Sequence, residues 1–428
     1  MELSQLLPAL YAISWQQLIM LAVGGILIYL AIAKEFEPTL LLPMGFGAIL
    51  VNLPLSTVIG SEGALTVFFE AGIATEVFPL LIFIAIGAMI DFSPLFKNPF
   101  LMFFGGAAQF GIFATIAGAT LLGFSLYEAA SIGIIGAADG PTSIFVSNIF
   151  APHLLGPISV AAYSYMALVP IIQPPIIRLF TTKKERLIRM KGVAKSVSRT
   201  SLILFPILVT AFAGIVAPSS LALIGFLMFG NLIRECGVLN KLSLSAQNEL
   251  ASLVTILLGI SIASTMTAEK FVNAQTLMII GLGLFAFVFD TIGGVLFAKL
   301  INIFLPADRK INPMVGACGI SAFPMSARVV HNMGQKEDKH NFLLMHAISS
   351  NVSGQIGSVV AGGLVLLFVP LFLKGVDFTG LTGMALNMAN FYVAMKVMLF
   401  GMLGIFLFMF LFYLVTKALD KFFPFKAE

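Results

Sequence analysis

Charge is what this chain has least of. Lysine, arginine, aspartate and glutamate make up 10% of its 428 residues, against about 25% in a soluble domain. That shortage excludes a single soluble core. Cysteine is scarce too: Cys236 and Cys318 are the two present, with no CxxC pair. A disulfide framework or thiolate metal centre is therefore unsupported, and both read as small packing residues. No P-loop occurs, which leaves ATP-driven transport by this chain unsupported. No basic n-region precedes the first apolar segment, so no cleavable signal peptide is expected. Polar stretches are also short. The longest, 181–200, cannot make a soluble domain, and no nucleic-acid partner is expected.

What remains is apolar. Hydrophobic residues reach 59%, with 39 glycines and 41 phenylalanines, and the mean hydropathy is +1.03. This composition predicts an all-α polytopic membrane protein. Apolar runs lie near 9–33, 39–58, 74–92, 98–124, 128–150, 154–180, 201–217, 219–235, 250–268, 275–304, 313–332, 341–373 and 391–416. Several are shorter than ~20 residues or interrupted, so eleven to thirteen membrane segments are predicted, some as hairpins that do not cross. Lys183, Lys184, Arg186, Arg189, Lys191, Lys195 and Arg199 crowd one loop, with Glu185 alone against them. The positive-inside rule puts that loop in the cytoplasm, and Lys417, Lys421 and Lys426 suggest the same for the C-terminus. Glu2 weakly favours an outside N-terminus.

The stretch Gly136-Ala-Ala-Asp139-Gly-Pro-Thr-Ser143 places a carboxylate inside an apolar run. A charge in hydrocarbon costs a few kcal/mol or more, so such a residue is a functional candidate. Gly140 and Pro141 break helical hydrogen bonding and free carbonyl oxygens beside it. Acid plus free carbonyls suits a dehydrated cation. The alternative is a structural acid, paired with a buried cation or capping a half-helix.

The motif recurs. Gly133, Gly136, Pro141 and Ser143 return as Gly316, Gly319, Pro324 and Ser326, all at an offset of 183 residues (319 − 136). Paired interrupted segments in two halves point to a midplane binding site. Spacing does not say whether the repeats are parallel or inverted. The second copy, Asn312 to Arg328, has no acid: Ala322 aligns with Asp139, and Ser321 stands beside it. One carboxylate with neutral oxygens from Asn312 and Ser321 suits a monovalent cation better than Ca²⁺; both residues could instead cap helices. Arg328 is either a salt-bridge partner of Asp139 or another acid, or a clamp for an anion. Tyr163 and Tyr165, followed by Gln173-Pro174-Pro175, offer hydroxyls that fit interhelical bonding, ion ligation or proton donation. Asn351 could join the ion path, while Asp91 and Asp290 read as ion-pair or capping groups. Ala394-Met395-Lys396 matches the core of a biotin attachment site, but lies in an apolar run without the preceding acid, so no biotin is expected on this chain.

Three stretches carry a family resemblance: Gly136 to Phe145, Ala161 to Pro175, and Asn312 to Arg328. They are similar to the β subunit of the sodium-translocating biotin-dependent decarboxylases, the oxaloacetate, methylmalonyl-CoA and glutaconyl-CoA decarboxylase pumps. The similarity extends over nearly the whole chain, including Arg186 to Lys191 and Gln247 to Leu250. The resemblance implies two inverted repeats with broken helices, a scaffold and a mobile core moving like an elevator. It implies decarboxylation of carboxybiotin carried by a partner subunit, coupled to Na⁺ export and proton uptake. Asp139, Asn312, Gly316 and Ser321 would then line the sodium path, Tyr165 the ion or proton path, and Arg328 (with Ser321) would face carboxybiotin. It also implies partners: a carboxyltransferase α subunit and biotin carrier, a small γ and possible δ subunit, a homotrimer, and the bacterial inner membrane. The Ile348-Ser-Ser-Asn351 run is more polar than that family's pattern. The expected segmentation is 1–60 N-terminal helices, 61–180 first repeat, 181–200 basic loop, 201–375 second repeat, and 376–428 C-terminal helix and tail. The competing reading is a sodium-coupled carboxylate carrier or Na⁺/H⁺ exchanger. It differs in predicting no CO₂ release from carboxybiotin.

Overall fold

The computed structural model describes residues 13–190, 196–216, 218–306, 309–374, 376 and 378–425. Glu2, Lys191, Lys195 and Lys426 lie outside them. Among the described residues there are helices and no strands. The main helices are α1 (Trp15–Ala33), α2 (Pro38–Asn52), α3 (Val77–Met89), α4 (Met102–Ala107), α5 (Phe110–Leu121), α6 (Leu126–Gly133), α7 (Gly140–Phe150), α8 (Leu155–Phe180), α9 (Arg199–Val216), α10 (Leu221–Glu235), α11 (Ala251–Ile262), α12 (Ala274–Phe304), α13 (Met325–Glu337), α14 (Leu344–Leu373) and α15 (Gly383–Phe422).

Among the described residues, seven helical stretches are long and apolar enough to cross a membrane, or eight if the 60° bent pair Ala64–Ala74 and Val77–Met89 is one span. The long spans are thus fewer than the eleven to thirteen segments expected. The rest are short or broken helices such as Pro38–Asn52, Leu126–Ala137 and Arg199–Ile215. The cause is local: Gly and Pro cut apolar runs into pieces that hydropathy alone joins.

The helices recur in order. α1 and α2 are followed near the 183-residue offset by α9 and α10, and the stretch Pro99–Leu121, α7 and α8 by α12, α13 and α14. Close contacts recur with the two halves exchanged. Gly136 packs against Ala286 and Asp290 of α12, and Gly319 packs against Phe104 of α4 and Ala108 just past its end. A side chain at either glycine would run into the facing helix, so small residues set these approaches. Gly316 and Gly294 likewise meet backbone to backbone.

The described first part of the basic loop, 181–190, is docked, not merely solvated. Thr182 caps a short helix, Lys183–Arg186, in a reciprocal box with Glu185. Arg186 pairs with Glu337 at 2.8 Å, Arg189 with Asp338 at 2.6 Å, and Lys299 with Glu185 at 3.2 Å. The Asn312 amide donates to the carbonyls of Arg186 and Ile188, both at 2.9 Å. Bonding to Arg189 holds the Asp338 carboxyl below the usual range. Burial pushes Glu185 up, but bonds from Thr182 and Lys299 outweigh it and leave that carboxyl lowered.

Candidate functional site

The first break begins where α6 tightens into a 3₁₀ turn, Ile134–Ala137, and Ala138 turns left-handed at φ 52°. Asp139 is then extended and caps α7, with Pro141 in the first turn, where a missing N–H costs nothing. In the second break Asn312 caps the 3₁₀ segment Pro313–Gly319, Ile320 is extended, and α13 starts at Met325. The Ser321 N–H donates to the Ala137 carbonyl at 2.8 Å, so the two breaks are joined directly.

Asp139 is 3% exposed. One carboxylate oxygen accepts the Thr142 N–H at 3.2 Å. The other accepts hydroxyl protons from Ser358 at 2.6 Å and Ser321 at 3.2 Å. No lysine, arginine or histidine is paired with it among the described residues. The capping alternative is therefore realised, while the buried-cation alternative is not. An ionised carboxylate left buried without a counter-charge costs several kcal/mol.

Helix α14 supplies the support. Asn351, Gln355 and Ser358, at spacings of four and three, share one face. The Asn351 amide donates to the Ile320 carbonyl at 2.7 Å and to that of Cys318 at 3.3 Å. The Gln355 amide donates to the Ser321 carbonyl. From α8 of the first half, Gln173 donates to the Ala317 carbonyl at 2.8 Å and accepts from the Ser326 hydroxyl at 3.0 Å. Polar side chains thus satisfy the carbonyls that the second break exposes.

A cavity of about 360 Å³ opens onto Asp139 and Ser321. Its core wall includes Ala138, Gly140, Tyr163 and Gln355; its other wall comes from α2, α3 and α11 and from residues just before α2 and α11, including Glu37, Thr39, Gln247 and Asn248. The Tyr163 hydroxyl and the side-chain amide oxygen of Gln355 are buried and have no hydrogen-bond partner among the described residues. The Tyr163 ring sits where any Cβ on Gly140 would fall.

Other expected site residues lie elsewhere. Tyr165 does not line this cavity; its hydroxyl donates to the Ile280 carbonyl of α12 at 2.5 Å. Asn312 is spent on the basic loop and on the Met314 N–H, which it accepts at 3.1 Å. Gly316 sits at the glycine crossing with α12. Arg328, on the first turn of α13, is exposed, and its guanidinium makes no ion pair or hydrogen bond among the described residues. The salt bridge to Asp139 left open above is absent, and the guanidinium is free for an outside anion. Asp290 is a second buried acid: one oxygen accepts the Ile112 N–H at 3.1 Å and the other has no partner among the described residues. Lys396 lies within α15 over the Tyr392 ring, 4.7 Å from its centre, rather than on an exposed tight turn.

Fold and site together define a polytopic helical membrane protein built around a carboxylate at the junction of two broken helices. A family described as the Na⁺-transporting oxaloacetate decarboxylase beta subunit matches residues 16–369. The chain belongs to that family. It is 52% identical over 348 residues to the methylmalonyl-CoA decarboxylase subunit beta of Veillonella parvula, covering 81% of this chain and 92% of the relative. With the glutaconyl-CoA decarboxylase subunit beta of Acidaminococcus fermentans it shares 50% over 358 residues, 84% and 94% of the two chains. The oxaloacetate decarboxylase beta chain of Klebsiella pneumoniae is 44% identical over 414 residues, 82% and 95%.

Proposed function

We propose that this chain is the membrane subunit of a decarboxylase sodium pump. It releases CO₂ from carboxybiotin presented by a partner subunit and couples that step to Na⁺ export and proton uptake. The observation that carries this reading is the Asp139 carboxylate, held by two hydroxyls and one amide with no protein cation beside it. Sodium is the missing positive charge, and Tyr163 and Gln355 add oxygens that lack partners. Arg328 is free to pair with the carboxybiotin carboxylate. Loss of CO₂ leaves a biotin anion that takes up one proton. That proton arrives through Asp139 and displaces sodium.

The two halves serve as inverted repeats, and the core carrying both breaks moves as an elevator against α2, α3 and α11. The exchanged glycine contacts support the first point. The position of the cavity between those groups of helices supports the second. A carboxyltransferase, a biotin carrier, and small γ and δ subunits complete the assembly, with this chain as a homotrimer in the inner membrane. The basic loop and C-terminus face the cytoplasm. The family does not select the acyl substrate, because the relatives act on three different ones.

The test is Asp139→Asn in the purified complex. Sodium-stimulated CO₂ release from a carboxylated biotin carrier and ²²Na⁺ uptake into vesicles should both disappear while the complex still assembles. Undiminished sodium-stimulated decarboxylation by this variant would overturn the reading.

A further inference from the structure

The cavity beside Asp139 is lined by a second acid, Glu37, which takes no part in holding the first. Glu37 lies in the charged turn Lys34-Glu35-Phe36-Glu37 between α1 and α2, and is half-buried where Asp139 is nearly fully buried. Its backbone is left-handed, φ 38°, and its side chain makes no capping bond to the α2 N-terminus it precedes. A residue placed there for local structure would use that cap. Glu37 instead lines the cavity, as does Thr39 two residues on.

The facing helix is irregular at the same place. Residues Ala246–Leu250 form a π turn, a widening that recurs at functional sites. The Gln247 amide nitrogen is tied to the Ser243 hydroxyl at 2.9 Å and that of Asn248 to the Leu244 carbonyl at 2.8 Å. Both side chains line the cavity, and their oxygens are left for what occupies it. The Tyr163 hydroxyl, buried and unpartnered, belongs to the same cavity. One space therefore joins two acids from different parts of the fold. A neutral hydroxyl lines it too, and it has ample room for a cation with its first waters.

We propose that Glu37, with Gln247 and Asn248, forms a capture site for a still-hydrated monovalent cation, ahead of its transfer to Asp139. The inference rests on the sodium-pump reading. The more exposed acid attracts the hydrated ion at little desolvation cost; the buried one takes it after water is lost. Dividing dehydration between two acids avoids a single costly step.

The experiment is a sodium titration of the intact complex in detergent with two readouts. One is decarboxylation rate. The other is protection of Asp139 from a carbodiimide by sodium, read by peptide mass spectrometry and independent of carboxybiotin. Glu37→Gln should raise the sodium concentration for half-effect about five- to ten-fold in both, as expected for a unit charge removed at cavity distances. The rate at saturating sodium should stay within about two-fold, since Asp139 is intact. Glu37→Asp should remain near wild type. Wild-type sodium dependence in Glu37→Gln, or equal effects of the Gln and Asp variants, overturns the proposal. If Glu37→Gln does not accumulate, Gln247→Lys decides. A cation there should raise the half-effect concentration at least ten-fold, and no change overturns the proposal. Failure of the underlying reading looks different: wild-type protein would then show neither sodium stimulation nor sodium protection of Asp139.

Discussion

Ser358 makes the shortest contact to Asp139, 2.6 Å, and Ser321 a longer one at 3.2 Å. A hydrogen bond to a charged acceptor contributes about 1.5–3 kcal/mol. Ser358→Ala should therefore raise the sodium requirement for decarboxylation about ten-fold, and Ser321→Ala less, read as sodium half-saturation in the purified complex. Equal, wild-type values for both would show that the hydroxyls do not set the carboxylate's affinity. Asp139 was legible in the sequence because an acid in an apolar run is conspicuous. Ser358 was not, because Ser349, Ser350 and Ser353 share its helix and make one more serine ordinary; only its spacing from Asn351 and Gln355 marks it. The choice between Tyr163 and Tyr165 was beyond sequence reasoning. Residues two apart on a helix face opposite ways, and nothing local says which side meets the cavity. The free state of Arg328 likewise depends on where α13 lies.

At the scale of elements, the broken helices were legible from their Gly and Pro punctuation, and the structure breaks both at the matched motif. What stitches the breaks was hidden, because Gln173, Asn351 and Gln355 act across 31 to 144 residues of sequence. Gly319 shows how tightly the elements meet: a Cβ there would collide with the Phe104 carbonyl. Gly319→Val should lower the thermal midpoint of the detergent-solubilised protein by several degrees and abolish decarboxylation, as overpacking costs roughly 1–3 kcal/mol or more. Gly25, whose Cβ would meet nothing within 4 Å, is the control. Gly25→Ala should shift the midpoint by no more than about a degree. A tolerated Gly319→Val would mean the second break is not fixed by this crossing.

For the whole molecule, the basic loop ties the end of the first half to the second. Composition gave its charge but not its docking, since Glu337 and Asp338 lie about 150 residues away and read as ordinary polar residues. The Arg186–Glu337 pair is the better shielded, with side chains 14% and 18% exposed, whereas Arg189 is 61% exposed. Glu337→Gln should increase tryptic cleavage after Arg186 several-fold, and Asp338→Asn should do less. The pH dependence has a definite sign. The Asp338 carboxyl is lowered on folding, so its contribution is complete above the ordinary carboxylate value near 3.9 and is lost only as pH falls through the lowered one. Cleavage measured from pH 6 to 8, corrected for the protease's own profile, should therefore stay flat. A rise toward pH 6 would mean another group controls the loop.

The bond from Ser358 to Asp139 spans 219 residues. A ribosome adding 5–20 residues per second needs roughly 10–45 s to bridge that gap. Until Ser321 is made, 182 residues after Asp139, the first break has neither hydroxyl partner, and Ser358 follows only later. Biogenesis of this protein therefore includes a period in which the first break waits for the last third of the chain. Synonymous codons or insertion machinery that lengthen that wait become determinants of yield, even though they change no residue of the finished pump.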